Sequence, residues 1–422
     1  MNTRTKLAIA VSAALWVVPM TRAVAGIDVT AGDWKIDFAG NVNAFYVGTK
    51  CDDTSVIIGG LACTGGTDRS SSIRNGLLPA ALVFSATSRQ ADLDIDVTVG
   101  FYPGINSDLG VPVNGAGNPS ALQSPGIDAR QVYFTFGDAS WGTVKMGRDI
   151  GLFGKDAILS DMTLLGVGTA LSNPAPSNTS LGRIGIGYIY TDWEPQITYT
   201  TANLGGFTAS FGVFQPLNDG TYNSHNSPQI QVGGAFAFGD PKSDALSGKV
   251  WLDVVSQKLM LPSAVTPALG QATSYTGTAV DGGVKLDVAG FEGVLYGYTG
   301  KGVGTTGLYI LATSASGDKR KSDGGYVQAT YKVLDKVKFG FSYGISDLKL
   351  ADDERAFQNV SCNFAASTGC LLKRNRSAVF GVYYSLTKSI TLVGEYIDTK
   401  ADAWNGNSAK QKDIALGGIL FF

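Results

Sequence analysis

Along most of its length the chain alternates, residue by residue, between apolar side chains and small or polar ones. Val337, Phe339, Phe341, Tyr343 and Ile345 share one parity, against Lys338, Gly340, Ser342, Gly344 and Ser346. Ala378 to Leu386 repeats the pattern, a tight turn at Thr387-Lys388 leads into Ile390, Leu392 and Tyr396, and Ile414, Leu416, Leu420 and Phe422 close the chain. Period-2 patterning predicts strands with two unlike faces. Beyond position 25 the chain has no run of about 20 apolar residues, which excludes a bundle of membrane-spanning helices. With 55 glycines in 422 residues, about 13% against a usual share near 7%, a mainly helical protein is excluded too. The 33 Lys and Arg nearly balance the 35 Asp and Glu, which leaves no basic excess for nucleic acid.

An apolar face alternating with small and polar residues can pack on a core or face lipid. Two features favour lipid: the polar face is rich in Gly, Ser and Thr, and the turns are alternately short and long. Lipid cannot satisfy an open sheet edge, so such strands must close into a barrel. Strands of about 10 residues with one short turn and one long loop per pair take roughly 50 residues, so the chain after position 25 fits about 16 strands. The abundant Tyr and Phe suit aromatic girdles at the membrane interfaces. No linker marks a second domain. The fold class expected is all-β, a single transmembrane antiparallel barrel over residues 26–422.

Arg4 and Lys6 precede the apolar run Leu7 to Val18, and Ala23-Val24-Ala25 supplies a small-x-small ending. This layout predicts a secretory signal peptide over 1–25. Export permits disulfides, and four cysteines allow three pairings. Cys51 and Cys63 fall in one predicted loop and Cys362 and Cys370 in another, so local pairing is the simplest connectivity. Free thiols or a metal site are the alternative, with no Cys-x-x-Cys spacing and no nearby His to support it.

The segment RQVYFTFGDASWGTVKMGRD, Arg130 to Asp149, resembles the trimeric general porins of Gram-negative bacteria: an Arg opens a strand, a Gly-containing short turn follows, and Gly147-Arg148 ends the next strand. GDWKIDFAGNVNAFYVG, Gly32 to Gly48, is similar to that family's first strand, and the terminal Phe422 resembles the signal read by the outer-membrane assembly machinery. The resemblance implies a homotrimer in the outer membrane, in contact with lipid and lipopolysaccharide. It implies a third loop, about 149–183, that folds into the barrel and narrows a water-filled pore, opposite a cluster of basic wall residues. The enteric Pro-Glu-Phe-Gly-Gly motif is absent from this loop, and two of the family's basic positions appear here as Asn41 and Thr191.

At helical spacing Asp156 to Leu165 sets Ile158, Leu159, Met162 and Leu165 against Asp156, Ser160 and Thr163. This predicts a short helix on the inner wall with Asp156 and Asp161 toward the lumen; an external loop contacting a neighbouring subunit is the alternative. Arg74, Arg130, Arg148, Asp149, Asp156, Asp161 and Arg183 are the candidate constriction residues. Arg130 is in conflict: the motif places it in the pore, whereas its parity matches Val132, Phe134 and Phe136 and opposes the lumen set Gln131, Tyr133 and Thr135.

Gly302 to Gly307 satisfies a dinucleotide fingerprint by letters but lies between predicted strands, as a flexible external loop. The lone His225 lacks any nucleophile motif beside it. Asp52-Asp53 and Asp352-Asp353-Glu354 read as solvated external runs or divalent-ion bridges to lipopolysaccharide. No cofactor or metal is implied. The function expected is passive diffusion of small hydrophilic solutes, with a channel selective for one anion, sugar or aromatic acid as the alternative, and a barrel-based adhesin or enzyme behind it.

Overall fold

The structure, a computed structural model, describes residues 27–54, 57–64, 68–106, 126–171, 178–356 and 370–422. The predicted leader at 1–25 and Cys362 lie outside them. β1 (Ile27–Ala31) turns back into β2 (Trp34–Thr54), and β3 (Ile57–Ile58) belongs to the first long connection. β4 (Arg69–Arg74) and β5 (Ala81–Gln90) form one stave, pairing with successive halves of β2. Then follow β6 (Leu93–Pro103), β7 (Ile127–Asp138), β8 (Gly142–Ile150), β9 (Trp193–Thr201), β10 (Phe207–Phe214) and β11 (Gln229–Phe238). The rest are β12 (Ser247–Met260), β13 (Ser274–Val288), β14 (Phe291–Lys301), β15 (Lys321–Leu334), β16 (Val337–Lys349), β17 (Cys370–Ser385), β18 (Ile390–Ala403) and β19 (Ser408–Phe421). From β5 onward each strand pairs antiparallel with the next, and β19 closes on β2 from Ala409 opposite Thr54 to Phe421 opposite Asn41. The wall is a closed barrel of 16 strands.

Connections alternate in length as the pattern requires. Ala91 and Asp92 alone join β5 to β6, and Ala289 and Gly290 alone join β13 to β14, all four with positive φ. Two-residue hairpins need that left-handed backbone so that the turn's twist matches the strands. At the other end, residues 151–192 join β8 to β9 and 302–320 join β14 to β15.

The two faces are inside out relative to a water-soluble barrel. Val232, Leu252, Leu295, Phe341 and Leu416 are exposed on the outer face. Gln229, Gln231, Gln328, Asn375, Glu395 and Gln411 are buried on the inner one. Lipid solvates the first set; the second must find hydrogen-bond partners within the barrel. At the seam, Phe422 and Gly40 exchange backbone hydrogen bonds of 2.9 and 3.0 Å. A Cβ on Gly40 would lie 2.3 Å from the Ala81 carbonyl oxygen and 2.6 Å from the Phe422 ring, so the close approach of β5 leaves room only for glycine there.

Candidate functional site

The site is built from the connection after β8 and the wall it meets. Its backbone is held, residue after residue, by inward side chains. The N–H groups of Leu152 and Phe153 donate to Gln231 Oε1 at 2.6 and 2.9 Å, and Gly154 N donates to Asp281 Oδ2 at 2.6 Å. Gln328 accepts from Met162 N and donates to Ser160 O, at 2.7 and 2.9 Å. Glu395 Oε2 accepts from Val167 N and Gly168 N, both at 2.8 Å, and Gln411 donates to Ala170 O. These partners lie on β11, β13, β15, β18 and β19. The connection thus satisfies the buried polar groups that the barrel pattern places on those strands.

A predicted single helix over Asp156–Leu165 is corrected. α1 covers only Lys155–Leu159, and a separate 3₁₀ turn covers Met162–Leu165. The break is chemical: Asp161 has extended backbone, and its Oδ1 accepts from Thr163 N and Oγ1 at 2.9 and 2.8 Å, capping the second turn. So short a helix has no stability of its own; Ala157 O accepts from the Tyr326 hydroxyl at 2.7 Å, which ties α1 to the wall.

The interior stays open as a cavity of about 2690 Å³, bordered chiefly by β2 and by β5 to β12. Arg130, Lys145, Arg148, Asp149, Lys155, Asp156 and Lys249 border it. The conflict over Arg130 is resolved by a β-bulge. Gln131 stands opposite Gly100 and Ala129 opposite Phe101, so Arg130 is the extra residue and both it and Gln131 turn inward. Its Nε and Nη2 donate to Asp128 Oδ2 at 3.1 Å, and its guanidinium sits 5.5 Å from the Tyr102 ring centre. One rung on, Lys145 pairs with Asp149 and lies 4.7 Å from the Tyr133 ring centre. Asp156 pairs with Lys249 at 2.5 Å.

Three of the seven candidates are absent from the cavity lining and bolt the connection instead. Arg74, 1% exposed, donates to Thr179 O at 2.7 Å and Leu171 O at 3.5 Å. Arg183, fully buried, donates to Ser342 Oγ and O and to Ser377 O. Asp161 accepts from the Tyr188 hydroxyl at 2.9 Å; burial pushes its carboxyl up, opposed by the charge of Arg183. The reason is common to all three: unsatisfied carbonyls and amides of an irregular segment, buried inside a barrel, need strong partners. Asn41 and Thr191 are buried and also off the cavity. Sequence reasoning missed Lys145, Lys249 and the anchors Gln231, Asp281, Gln328 and Glu395. Their signal was a long polar side chain on the inner parity in mid-strand.

The other long connections are packed as well. Cys51 and Cys63 form a disulfide, and Cys63 N donates to Gln411 Oε1 at 2.7 Å. Cys370 is also disulfide-bonded. The Gly302–Gly307 segment, expected to be a flexible external loop, is ordered against the connection: Tyr190 N donates to Thr306 O at 2.9 Å, and Val303 and Tyr309 are fully buried. The run Asp352–Glu354, expected to be solvated, opens α2 (Asp352–Ala356); Asp352 is exposed as expected, whereas the next two residues are engaged within the fold. There Glu354 makes a bidentate pair with Arg320, and Asp353 accepts from Ser314 and Ser316.

The family model for Gram-negative porins matches residues 10–404. No curated protein sequence matches the chain. Among solved structures, the outer-membrane channel DcaP of Acinetobacter baumannii is similar with a TM-score of 0.67 at 16% identity, over 94% of this chain and 100% of that one. OmpF of Salmonella typhi follows at a TM-score of 0.57 and 14% identity, over 94% and 100%. OmpT of Vibrio cholerae, in its trimer form, gives 0.53 and 13%, over 92% and 99%. At such identities the likeness is one of fold, and it is the fold already traced: a ring of 16 strands, apolar outside and polar within. The chain therefore belongs to the Gram-negative porin family, as an outer-membrane channel for passive diffusion.

Proposed function

We propose that residues 149–183 are an inward-folded constriction loop and that a homotrimer of this chain passes small hydrophilic solutes, selecting them by bore and lining charge and catalysing nothing. One observation carries the reading: the loop backbone is hydrogen-bonded to inward side chains from β11 round to β19, and a cavity survives beside it, bordered chiefly by β2 and by β5 to β12. Ion pairs bordering the cavity, Lys145–Asp149 and Lys249–Asp156, place fixed charges on its lining; charged side chains lining a pore set preference in channels. The trimer rests on the fold likeness to a protein solved in trimer form. The test is single-channel recording across a salt gradient. Large steps closing in threes support the reading, and insertion without current ends it.

A specific observation favours a second reading, a channel selective for an organic anion. Leu159, Leu165 and Leu181 border the cavity together with Tyr102, Tyr133 and Trp193 and the cations Arg130 and Lys145. An aromatic carboxylate would meet apolar surface on the loop side and charge on the wall. Saturable block of the current by benzoate, without block by acetate at equal concentration, distinguishes this reading from general diffusion.

A further inference from the structure

The outer wall carries a patch that its apolar pattern does not account for. It lies on β17, β18, β19, β2 and β4, at the end of the staves where the long connections join. There the outward rungs change from apolar residues to cations. Along β19 the outward parity runs Leu416, Ile414, Lys412, Lys410; along β2 it runs Tyr46, Gly48, Lys50; along β17 it runs Phe380, Ala378, Arg376.

The ladder sets these cations side by side in two rows. Arg376 stands opposite Lys400, and Lys400 opposite Lys410. One rung nearer the apolar band, Lys412 stands opposite Lys50, and Lys50 opposite Arg69. Residues directly opposite have Cβ atoms about 4.5–5.5 Å apart, and like charges so placed are destabilising. Adjacent strands are about 4.8 Å apart, so each row sets three cations across about 10 Å.

Acids offset part of this charge. Asp402 pairs with Lys400 at 2.7 Å and with Arg376 at 3.7 Å. Asp52 pairs with Lys50 at 2.7 Å and with Lys412 at 3.3 Å. Asp398 stands opposite Lys412, and Asp53 opposite Lys410. Six cations against these four acids leave an excess of two positive charges. Directly beside the rows, Phe380, Tyr396, Ile414 and Tyr46 are exposed on the same face. Tyrosines at that level mark the edge of the hydrocarbon layer. A dissolved anion would meet the cations alone, whereas an anionic amphiphile meets the cations and the apolar rungs together.

We propose that the two rows form a binding site for a phosphate-bearing lipid of the outer leaflet. Its phosphates lie between Arg376–Lys400–Lys410 and Lys412–Lys50–Arg69, and its acyl chains run along Phe380, Tyr396, Ile414 and Tyr46. The lipid's negative charge relieves the repulsion that the strand register imposes.

The test titrates the purified protein in detergent with bisphosphoryl lipid A and follows binding by native mass spectrometry. The wild type binds it, and binds the same lipid stripped of phosphate about tenfold more weakly or worse, since each surface cation contributes to the hold on an anionic lipid. Lys50→Gln, Lys400→Gln and Lys410→Gln combined weaken lipid A binding to the same extent. Lys332→Gln, Lys336→Gln and Lys388→Gln combined remove equal charge at the short-turn end and leave binding unchanged. Without lipid the first set unfolds at a higher temperature than the wild type, because repulsion is relieved; lipid A closes that gap. Equal wild-type affinity for the phosphorylated and stripped lipids, a result that needs no variant, overturns the proposal. Displacement of lipid A by millimolar inorganic phosphate does so too, by making this a site for a dissolved anion. A shifted temperature of trimer dissociation with lipid binding intact also overturns it, and assigns the patch to contact between copies of the chain.

Discussion

The two halves of the barrel carry the same inner-face chemistry and use it differently. From β11 round to β19, the inward glutamines and carboxylates bind loop backbone: Gln231, Asp281, Gln328, Glu395 and Gln411 each hold a main-chain group of the 151–171 segment. From β5 to β10, the inward residues bind one another or border the cavity, as with Gln131 and Asp149 at 3.2 Å and Lys145 with Asp149. The filled half shows that a polar inner face is a docking surface as much as a channel lining. Which half fills depends on where the loop's length and turns let its amides reach.

The comparison can be broken most directly by emptying the filled half. Deleting Asp156 to Leu165 removes α1 and the 3₁₀ turn, and single-channel conductance should rise severalfold; an unchanged conductance would falsify the inward-folded loop. Next in size is the clasp between the connections after β14 and β16. Arg320→Ala leaves Glu354 buried and unpaired, at a cost of roughly 3–5 kcal/mol. The readout is a lower temperature for loss of the compact folded form on gels, and an unaltered temperature would mean the pair is dispensable. Glu395→Ala strips two loop amides of their acceptor, roughly 1–3 kcal/mol for each buried donor left bare. It should appear as closing events in the open-channel current and as tryptic cleavage after Lys155, both absent from the wild type. The smallest effect belongs to the open half. Arg130→Ala removes a cation already paired with Asp128, so the permeability ratio should shift toward cations by about twofold, less at high salt as screening grows. A shift larger than that of the loop deletion would reverse the assignment of the two halves.

Legibility in the sequence divides along the same line. The staves, their number and their faces were readable because strand parity is local: Phe341 and Ser342 fall on opposite faces whatever happens elsewhere. Arg130 defeated parity because a bulge adds one residue to β7 opposite β6, and nothing within β7 alone marks it. Asp161 and Arg183 were readable as loop charges but not as anchors. Their partners are Tyr188, 27 residues away in the same connection, and Ser342 on β16, 159 residues away, and the acceptor of Gly154 is 127 residues away. The leader and the second cysteine pair were sequence readings; Cys362 and residues 1–25 lie outside the described residues.

By itself the sequence determined that this chain closes into a barrel with an apolar outside, because alternation at period 2 over so many strands has no other way to satisfy its backbone in lipid. Tertiary structure alone decided which inner side chains face water and which hold the loop. That choice depends on hydrogen bonds between residues far apart in the chain. A buried amide takes whatever acceptor the closed ring brings within about 3 Å, and the order of residues along one strand does not record which amide that is.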